Sequence, residues 1–562
     1  MRGAFLAWLG TLLLIVCVAH GNFETTDSGF TMHASRALWH RGDSALLTAA
    51  EGGDHIGEQE GAAFIKRWEA AGHRKCGKVG VDGRAYVWFP MGHVFLLTPF
   101  VPLGEVVGAW LADADARFQD KVQPFAQSYV EGSPVVTQAV MSMLVPTMCF
   151  ATSLLLLYRI ARELGAGGRD AVWTALSIGL ATQAFSVGRE QLSDGPGLML
   201  LLAALLPVVR LHRGAAGRWA APWAGVMSGC AVLVRYQTAI TVVLFAAVVA
   251  AACRRRGRWR DLWAFALGGA PLLLVFLGTN YSRYGDLLET GYPAIGEWFQ
   301  ADLATGLAKI LFAAGRGVMW CSPLLWIALP LASSRRCSVE LRWLAWALFL
   351  IPIAIFSTAL GWQGGQAWAI RYVTPGVVAL CALVLPQTAP WRRWPRGFIA
   401  AFGAGCLVSL TSVVAPVRGQ IQLMSQALRA QEARAVEAGE LDPAAVTVDT
   451  ADVGGWRLRY SPLLRNWSYA WHTDADGPAS EDGLSTMEAI YGVAPATVAQ
   501  ASAPRHWADR RGRHLWWRFW GDLYGVSGLL LMSPLLALGG LFAWLGWRRL
   551  AAAAGAQDPA AP

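Results

Sequence analysis

From residue 135 to residue 416 the chain repeats one pattern: an apolar run, then a short polar loop, then another apolar run. Each run is close to the ~20 residues a helix needs to cross hydrocarbon. A helix apolar on every side has no soluble surface to offer, so a series of them constrains the fold more than any motif does. Composition agrees: 55% of residues are hydrophobic and 15% charged, with mean hydropathy +0.38, against about 25% charged in ordinary soluble domains. The chain reads as an all-α polytopic membrane protein, and disorder, fibrous repeats and a disulfide scaffold are excluded. Spans are expected at 4–19, 135–158, 171–187, 195–211, 220–235, 237–252, 262–281, 318–333, 342–360, 372–387, 397–416 and 523–546.

The net charge of +9 and pI near 9.2 would suit a nucleic-acid binder. Position decides against it. The arginines gather between spans, at Arg159/Arg162/Arg169, Arg210/Arg213/Arg218, Arg254–Arg260, Arg335/Arg336/Arg342, Arg392/Arg393/Arg396 and Arg548/Arg549. That is the positive-inside pattern, which puts these loops in the cytoplasm. Among the 28 tryptophans, Trp8, Trp219, Trp259, Trp391 and Trp544 fall near span ends, where indole rings anchor at the interface. Of nine cysteines most lie in spans, and Cys76 is alone in a long loop, so no disulfide framework is implied.

Residues 88–111 are also apolar. A full crossing there would invert every arginine cluster after it, and Pro90, Pro99 and Pro102 interrupt a straight helix. This segment therefore reads as re-entrant or surface-lying on the outer side. Twelve crossings result, with both termini inside. The first run has a second reading as a cleaved signal peptide, with Cys17 and Ala19 as the small residues, but the segment after it needs a helix as its anchor. The organisation expected is a transmembrane core over 1–416 with a first outer loop at 20–134, an extracytoplasmic region at 417–522 with a charged helix near 420–440, and a last helix and tail over 523–562. In the first loop Phe30, Ala34, Ala37 and Leu38 share one helical face, which suits a helix lying along the interface.

Charges at the membrane edge are costly and mark candidate sites. Asp27 follows the first span, where an outer carboxylate base belongs; its local alternative is a helix N-cap, shared with Ser28. Asp194, in SVGREQLSDGPG, has the same alternative. Arg235 interrupts CAVLVRYQTAITVV, either as a functional cation or snorkelling to the interface. Arg371, in GWQGGQAWAIRYVTP, and the glycine-flanked Arg316 each suit a phosphate through paired N–H donors, or a carboxylate partner. GxxxxGK[ST], HExxH, paired CxxC and GxSxG are all missing from the sequence.

The order of these segments resembles the type C glycosyltransferases, which include protein O-mannosyltransferases and the lipid A aminoarabinose transferase. It runs from an Asp opening the first outer loop through GRAYVWFPMGHVFLLTPFVPLG, an acid in the next outer loop, NYSRYGDLLETGY and LFAAGRGVMWCSPLL to WQGGQAWAIRYVTP. The likeness covers about residues 4–387 and, more weakly, YSPLLRNW near 460. It implies an integral enzyme of the bacterial inner membrane with an extracytoplasmic active site. There a sugar would pass from a polyprenyl-phosphate donor to a glycan, lipid or protein hydroxyl, with inversion. Asp27 would match the first-loop catalytic acid and Asp194 the second; Glu24 and Asp54 are alternatives to Asp27. Arg371, Arg316, Arg84 and Arg235 are the donor-phosphate candidates. Aminoarabinose-type members carry a lysine where this chain has Trp88 and Phe89, so Arg84 or another cation must serve, or the donor differs. A divalent cation, magnesium or manganese, stays open. Membrane lipids are expected partners and nucleic acid is not. The rival is a transporter or an assembly partner in envelope glycan export; inverted repeats and paired broken helices would favour it.

Overall fold

The computed structural model describes residues 1–21, 26–46, 77–122, 134–292, 295–314, 316–359, 368, 370–414, 438–439 and 515–553. It is a helical bundle. Among the described residues eight helical stretches are long and apolar enough to cross a membrane, and four further apolar helices are shorter. The elements needed below are α1 (Arg2–Val16), α2 (Thr26–Arg41), β1 (Gly77–Val79), β2 (Ala85–Val87), α3 (Met91–Leu97), α4 (Phe100–Trp110), α5 (Ala114–Val122) and α6 (Val135–Glu163). They continue as α7 (Gly168–Leu180), α8 (Ala184–Val187), α9 (Asp194–Arg213), α10 (Ala220–Val234), α11 (Ala239–Arg256), α12 (Arg260–Tyr284), α13 (Ile295–Trp298) and α14 (Leu303–Phe312). The last are α15 (Val318–Cys321), α16 (Leu325–Ala332), α17 (Val339–Ser357), α18 (Thr374–Thr388), α19 (Pro390–Arg393), α20 (Pro395–Val414), α21 (Trp516–Tyr524) and α22 (Gly528–Ala553).

The described parts of the twelve expected spans are largely helical, but only eight described stretches are long enough to cross. Three expected spans are interrupted: 171–187, 318–333 and 523–546, where Gly525–Ser527 separate α21 from α22. The 318–333 run stops at Ser322, whose backbone leaves the helical region that the following Pro323 disfavours, and resumes as α16. In 171–187 the break falls at Ala181–Gln183, where the Thr182 hydroxyl takes the Ala184 N–H at 3.2 Å and offers the backbone an alternative to the helix.

The arginine clusters meet at one end of the bundle. Arg210 pairs with Glu163 at 2.6 Å, and Arg255 pairs with Glu340 and touches His212 at 2.9 Å. Arg392 closes on Asp170 at 2.5 Å, and the Tyr158 hydroxyl donates to the Leu550 carbonyl at 3.1 Å. Six loops far apart in sequence thus share one surface, as the charge pattern requires.

Helices α3 and α4 are two parts of one apolar stretch, Met91–Trp110, joined through Thr98 and Pro99, whose backbone angles stay helical. This stretch is one of the eight long enough to cross. Gly92 lies against the backbone of Leu233 and Val234, at the end of α10 away from the arginine clusters. Leu97 and Val101, at the join, pack with Met141, Val145 and Cys149 of α6. Gly104 and Gly108 then lie against Thr137 and Val136 at the top of α6. Both ends of the stretch therefore lie near the same end of the bundle, as a re-entrant or surface-lying segment would have them.

Three features differ from expectation. Helix α2 is buried on its polar side as well, with His33 and Ser35 nearly inaccessible, because the Ser35 hydroxyl reaches the Thr31 and Val94 carbonyls at 2.8 and 3.2 Å. It is an internal strut, not a helix floating at the interface. A short antiparallel hairpin, β1–β2, pairs Lys78 with Tyr86 and covers α2 through Ala85 and Val87. Last, α1 packs antiparallel on α22 along glycines: a Cβ on Gly10 would meet the Ala543 backbone N at 2.0 Å, and one on Gly546 would meet that of Ala7 at 2.1 Å. Nearly all of the 417–522 region, including the helix expected near 420–440, lies outside the described residues. At its end, α21 docks Phe519 and Leu523 on Ala114, Phe118 and Val135.

Candidate active site at the Asp194 end

The end of the bundle opposite the arginine clusters is built from four connections. Asp194 opens α9, where a carboxylate is favoured by the exposed N–H groups of the first turn and a proline at the third position is tolerated. Its carboxylate is buried, 3% exposed, and forms an ion pair with Arg235, itself 6% exposed at the α10–α11 corner. Arg371, just before α18, approaches the other carboxylate oxygen at 3.7 Å. Gly197 makes this possible: a Cβ there would lie 2.8 Å from Cδ of Arg235. Arg235 also donates to Gln237 Oε1 at 2.7 and 3.1 Å. Both guanidinium groups stand over the Tyr372 ring, at 6.0 and 5.6 Å, and that ring stacks on Phe356 at 4.5 Å.

The loop before Asp194 is fixed from several sides. The Thr374 hydroxyl donates to Gln183 Oε1 at 2.9 Å, and the Gln183 N–H donates to the Ser322 hydroxyl at 3.2 Å. Arg189, 1% exposed, donates to the Val18 carbonyl at 2.7 Å and the Ser412 carbonyl at 2.6 Å, so it ties α1 to α20. Glu190 accepts from the Trp368 N–H at 3.1 Å. The Ser28 hydroxyl donates to the Gln191 carbonyl, which holds the first turn of α2 against the loop that leads to Asp194.

An aromatic wall adjoins Arg235. Tyr236 meets Tyr292 edge-on at 6.0 Å, Tyr292 stacks on Trp88 at 5.2 Å, and Trp298 closes on both. Behind it Arg283, 2% exposed, donates to the Val87 carbonyl and to Asn280 Oδ1, each at 3.1 Å, and to the Tyr236 hydroxyl.

Residues 137–280 match the family model for dolichyl-phosphate-mannose-protein mannosyltransferases. That stretch runs from α6 to the end of α12 and carries both Asp194 and Arg235. The likeness to this mannosyltransferase family rests on that stretch, about a quarter of the chain. Among solved structures, ArnT from Cupriavidus metallidurans bound to undecaprenyl phosphate is similar over 96% of this chain and 76% of that one, with 12% identity and a TM-score of 0.45. No curated protein matches the chain.

The site gathers three of the six sequence candidates, Asp194, Arg235 and Arg371. Asp27 belongs to the first turn of α2. The Ser28 hydroxyl serves Gln191. Arg84 is half-exposed and paired with Asp43 at 2.9 Å, which Arg41 also holds. Arg316 is buried between α14 and α15, near Cys321. The ion pairs of Asp194 are with neither of these two. Glu24, Asp54 and the glycine-rich loop at 361–367 lie outside the described residues.

Arg283 was missed. It stands in NYSRYG at the clusterless end of a span, the same anomaly that singled out Arg235, Arg316 and Arg371. It brings a buried cation against the strand next to Trp88, where the sequence lacks the lysine of aminoarabinose-type relatives. Both carboxylate oxygens of Asp194 face guanidinium groups, which suits a cation ligand poorly, and among the described residues no three His, Cys, Asp or Glu side chains converge as a metal site. The two broken helices that a transporter reading looked for do meet, at Gln183 and Ser322. They do so at the Asp194 end, beside this site, rather than at mid-bundle.

Proposed function

We propose that the enzyme transfers a sugar from a polyprenyl-phosphate donor to an acceptor hydroxyl at the Asp194 end, on the extracytoplasmic side of a bacterial inner membrane. The observation that carries this reading is the buried Asp194 carboxylate with Arg235 and Arg371 converging on it, next to a loop that anchors the start of α2. Asp194 has both carboxylate oxygens turned to guanidinium groups. Its work is to fix two guanidinium forks, whose geometry matches a phosphate. Arg283 supplies a third cation at the same end.

In the reaction the acceptor oxygen attacks the anomeric carbon as the bond from that carbon to the phosphate oxygen breaks, and the configuration inverts. The hydroxyl proton goes to Asp27 as general base. The bonding electrons leave on the phosphate, whose growing charge the arginines stabilise; a polyprenyl phosphate is a good enough leaving group to need no acid. The family's name supports a lipid-phosphate sugar donor, and the aromatic wall at Trp88 and Tyr292 offers a flat apolar surface to a sugar ring.

The test is binding of undecaprenyl phosphate to purified protein, beside transfer from a polyprenyl-phosphate sugar in membranes. Arg371→Lys and Arg235→Lys keep the charge and lose the fork, so each should weaken lipid-phosphate binding at least tenfold while the protein stays folded. Unchanged affinity in both variants refutes the phosphate assignment.

A further inference from the structure

A second site lies at the opposite end of the bundle. Helices α6, α9 and α10 enclose a lateral groove of about 720 Å³. Three arginines stand at its mouth: Arg159 from α6, Arg210 from α9, and Arg218 from the loop before α10. Glu163 pairs with Arg210 alone at 2.6 Å, so the mouth keeps a positive balance. Arg218 and Trp219 stack as a cation on an indole at 5.5 Å. Trp219 and Trp223 are 69% and 55% exposed and face outward, as interfacial anchors do.

Beyond the mouth the groove turns apolar. Its floor is Leu156, Met199, Ala203, Leu206 and Met227. Measured along α9, Met199 to Arg210 spans eleven residues, or about 16 Å at 1.5 Å per residue. Half of a ~30 Å hydrocarbon core is about 15 Å. A charged mouth at headgroup level over an apolar trough one leaflet deep fits a phospholipid, with the phosphate on the arginines and one acyl chain along α9.

We infer that this groove binds an anionic glycerophospholipid of the leaflet facing the arginine clusters, independently of the donor site at the other end. Charge complementarity favours this occupant over a zwitterionic lipid, and basic pockets between helices on this side of a membrane commonly hold such headgroups.

The experiment is thermal unfolding of the full-length protein in detergent, titrated separately with dioleoyl-phosphatidylglycerol, dioleoyl-phosphatidylcholine and inorganic phosphate. Phosphatidylglycerol should raise the midpoint by several degrees, saturably, and the other two should not. Arg159→Gln with Arg218→Gln should abolish that rise without moving the lipid-free midpoint, because both side chains are exposed and neither carries an ion pair. Ala203→Phe should abolish it by filling the floor; where that variant does not fold, the arginine pair decides alone. An equal rise with phosphatidylcholine, an equal rise with inorganic phosphate, or an undiminished rise in the double variant each overturns the inference. So does a dimer of the wild-type chain that Ala203→Phe dissociates, since a second copy would then fill the groove.

Discussion

Removing the charge from Asp194 tests the centre of the proposed site most directly. The carboxylate is 3% exposed and its partner Arg235 is 6% exposed, so Asp194→Asn strands a guanidinium that water cannot reach. Breaking a buried pair from one side costs about 3–5 kcal/mol. The asparagine oxygen still accepts one hydrogen bond from Arg235, and Arg371 at 3.7 Å is a looser partner. The loss should therefore fall at the low end, about 3 kcal/mol. Arg235→Gln should lose a similar amount for the reciprocal reason. Were the two independent, the double variant would lose about 6 kcal/mol; sharing one buried site, it should lose only about 3–4, a coupling of about 2–3 kcal/mol. Unfolding by added dodecyl sulfate in mixed micelles, followed by loss of helical dichroism, measures all four corners of the cycle. Simple additivity in the double variant would refute a shared buried pair. The double variant should also stay inactive in sugar transfer although it is hardly less stable than either single variant, which separates phosphate handling from folding.

Further outcomes follow from the same geometry. Asp27→Asn should cut transfer about 10²-fold or more at normal expression, since it keeps the shape and removes the base; full activity would return Glu24 or Asp54 to the role. Ser282→Cys, exposed at the Asp194 end, should react with an impermeant thiol reagent in intact cells, and Ser333→Cys only after permeabilisation; the reverse pattern inverts the topology. Native Cys337 is a poor reporter because it is buried. The Lys78 ammonium, 2.6 Å away, holds the Glu289 carboxyl below the usual carboxylate range. That tie between β1 and the loop carrying Tyr292 is complete above the unfolded carboxylate range and is lost as pH falls through the lower folded value. Protease nicking near Asp286 should then rise in acid, and a Glu289→Gln variant should be nicked at neutral pH already.

Much of the bundle was legible because membrane insertion obeys local rules. Apolar run length marks each span, and the arginines after it mark its cytoplasmic end, so six clusters could be assigned to one face without knowing any contact between them. Proline positions in 88–111 and charge parity together pointed to a segment that begins and ends on one side, although its length and hydropathy alone would let it cross. The breaks at Thr182 and Ser322 were less visible, since each run reads as continuous when only hydropathy is counted; Pro323 was the missed signal for the second. The site was half legible. Asp194, Arg235 and Arg371 stood out individually as misplaced charges, but their convergence depends on three loops meeting and on the space left by Gly197. Arg283 broke the same rule and went unremarked, because it follows a span directly and resembles an ordinary flanking charge. Burial of α2 was illegible for another reason: its polar side is satisfied by carbonyls of α3, which no helical periodicity reveals.

The glycine-lined seam between α1 and α22 has a consequence for biogenesis. Gly10 and Ala543 are in van der Waals contact across 533 positions of chain. At synthesis rates of about 5–20 residues per second, the first helix enters the bilayer roughly half a minute to two minutes before its partner exists. Throughout that interval the face of α1 that will meet α22 is bare to lipid, while Arg189, which grips the Val18 carbonyl, emerges after only about a third of it. Closure of this seam therefore waits for α22. Substitutions on that last helix should leave an inserted but unsealed bundle, the kind of species a membrane quality-control protease removes, even though α22 stands apart from every residue proposed to touch the sugar.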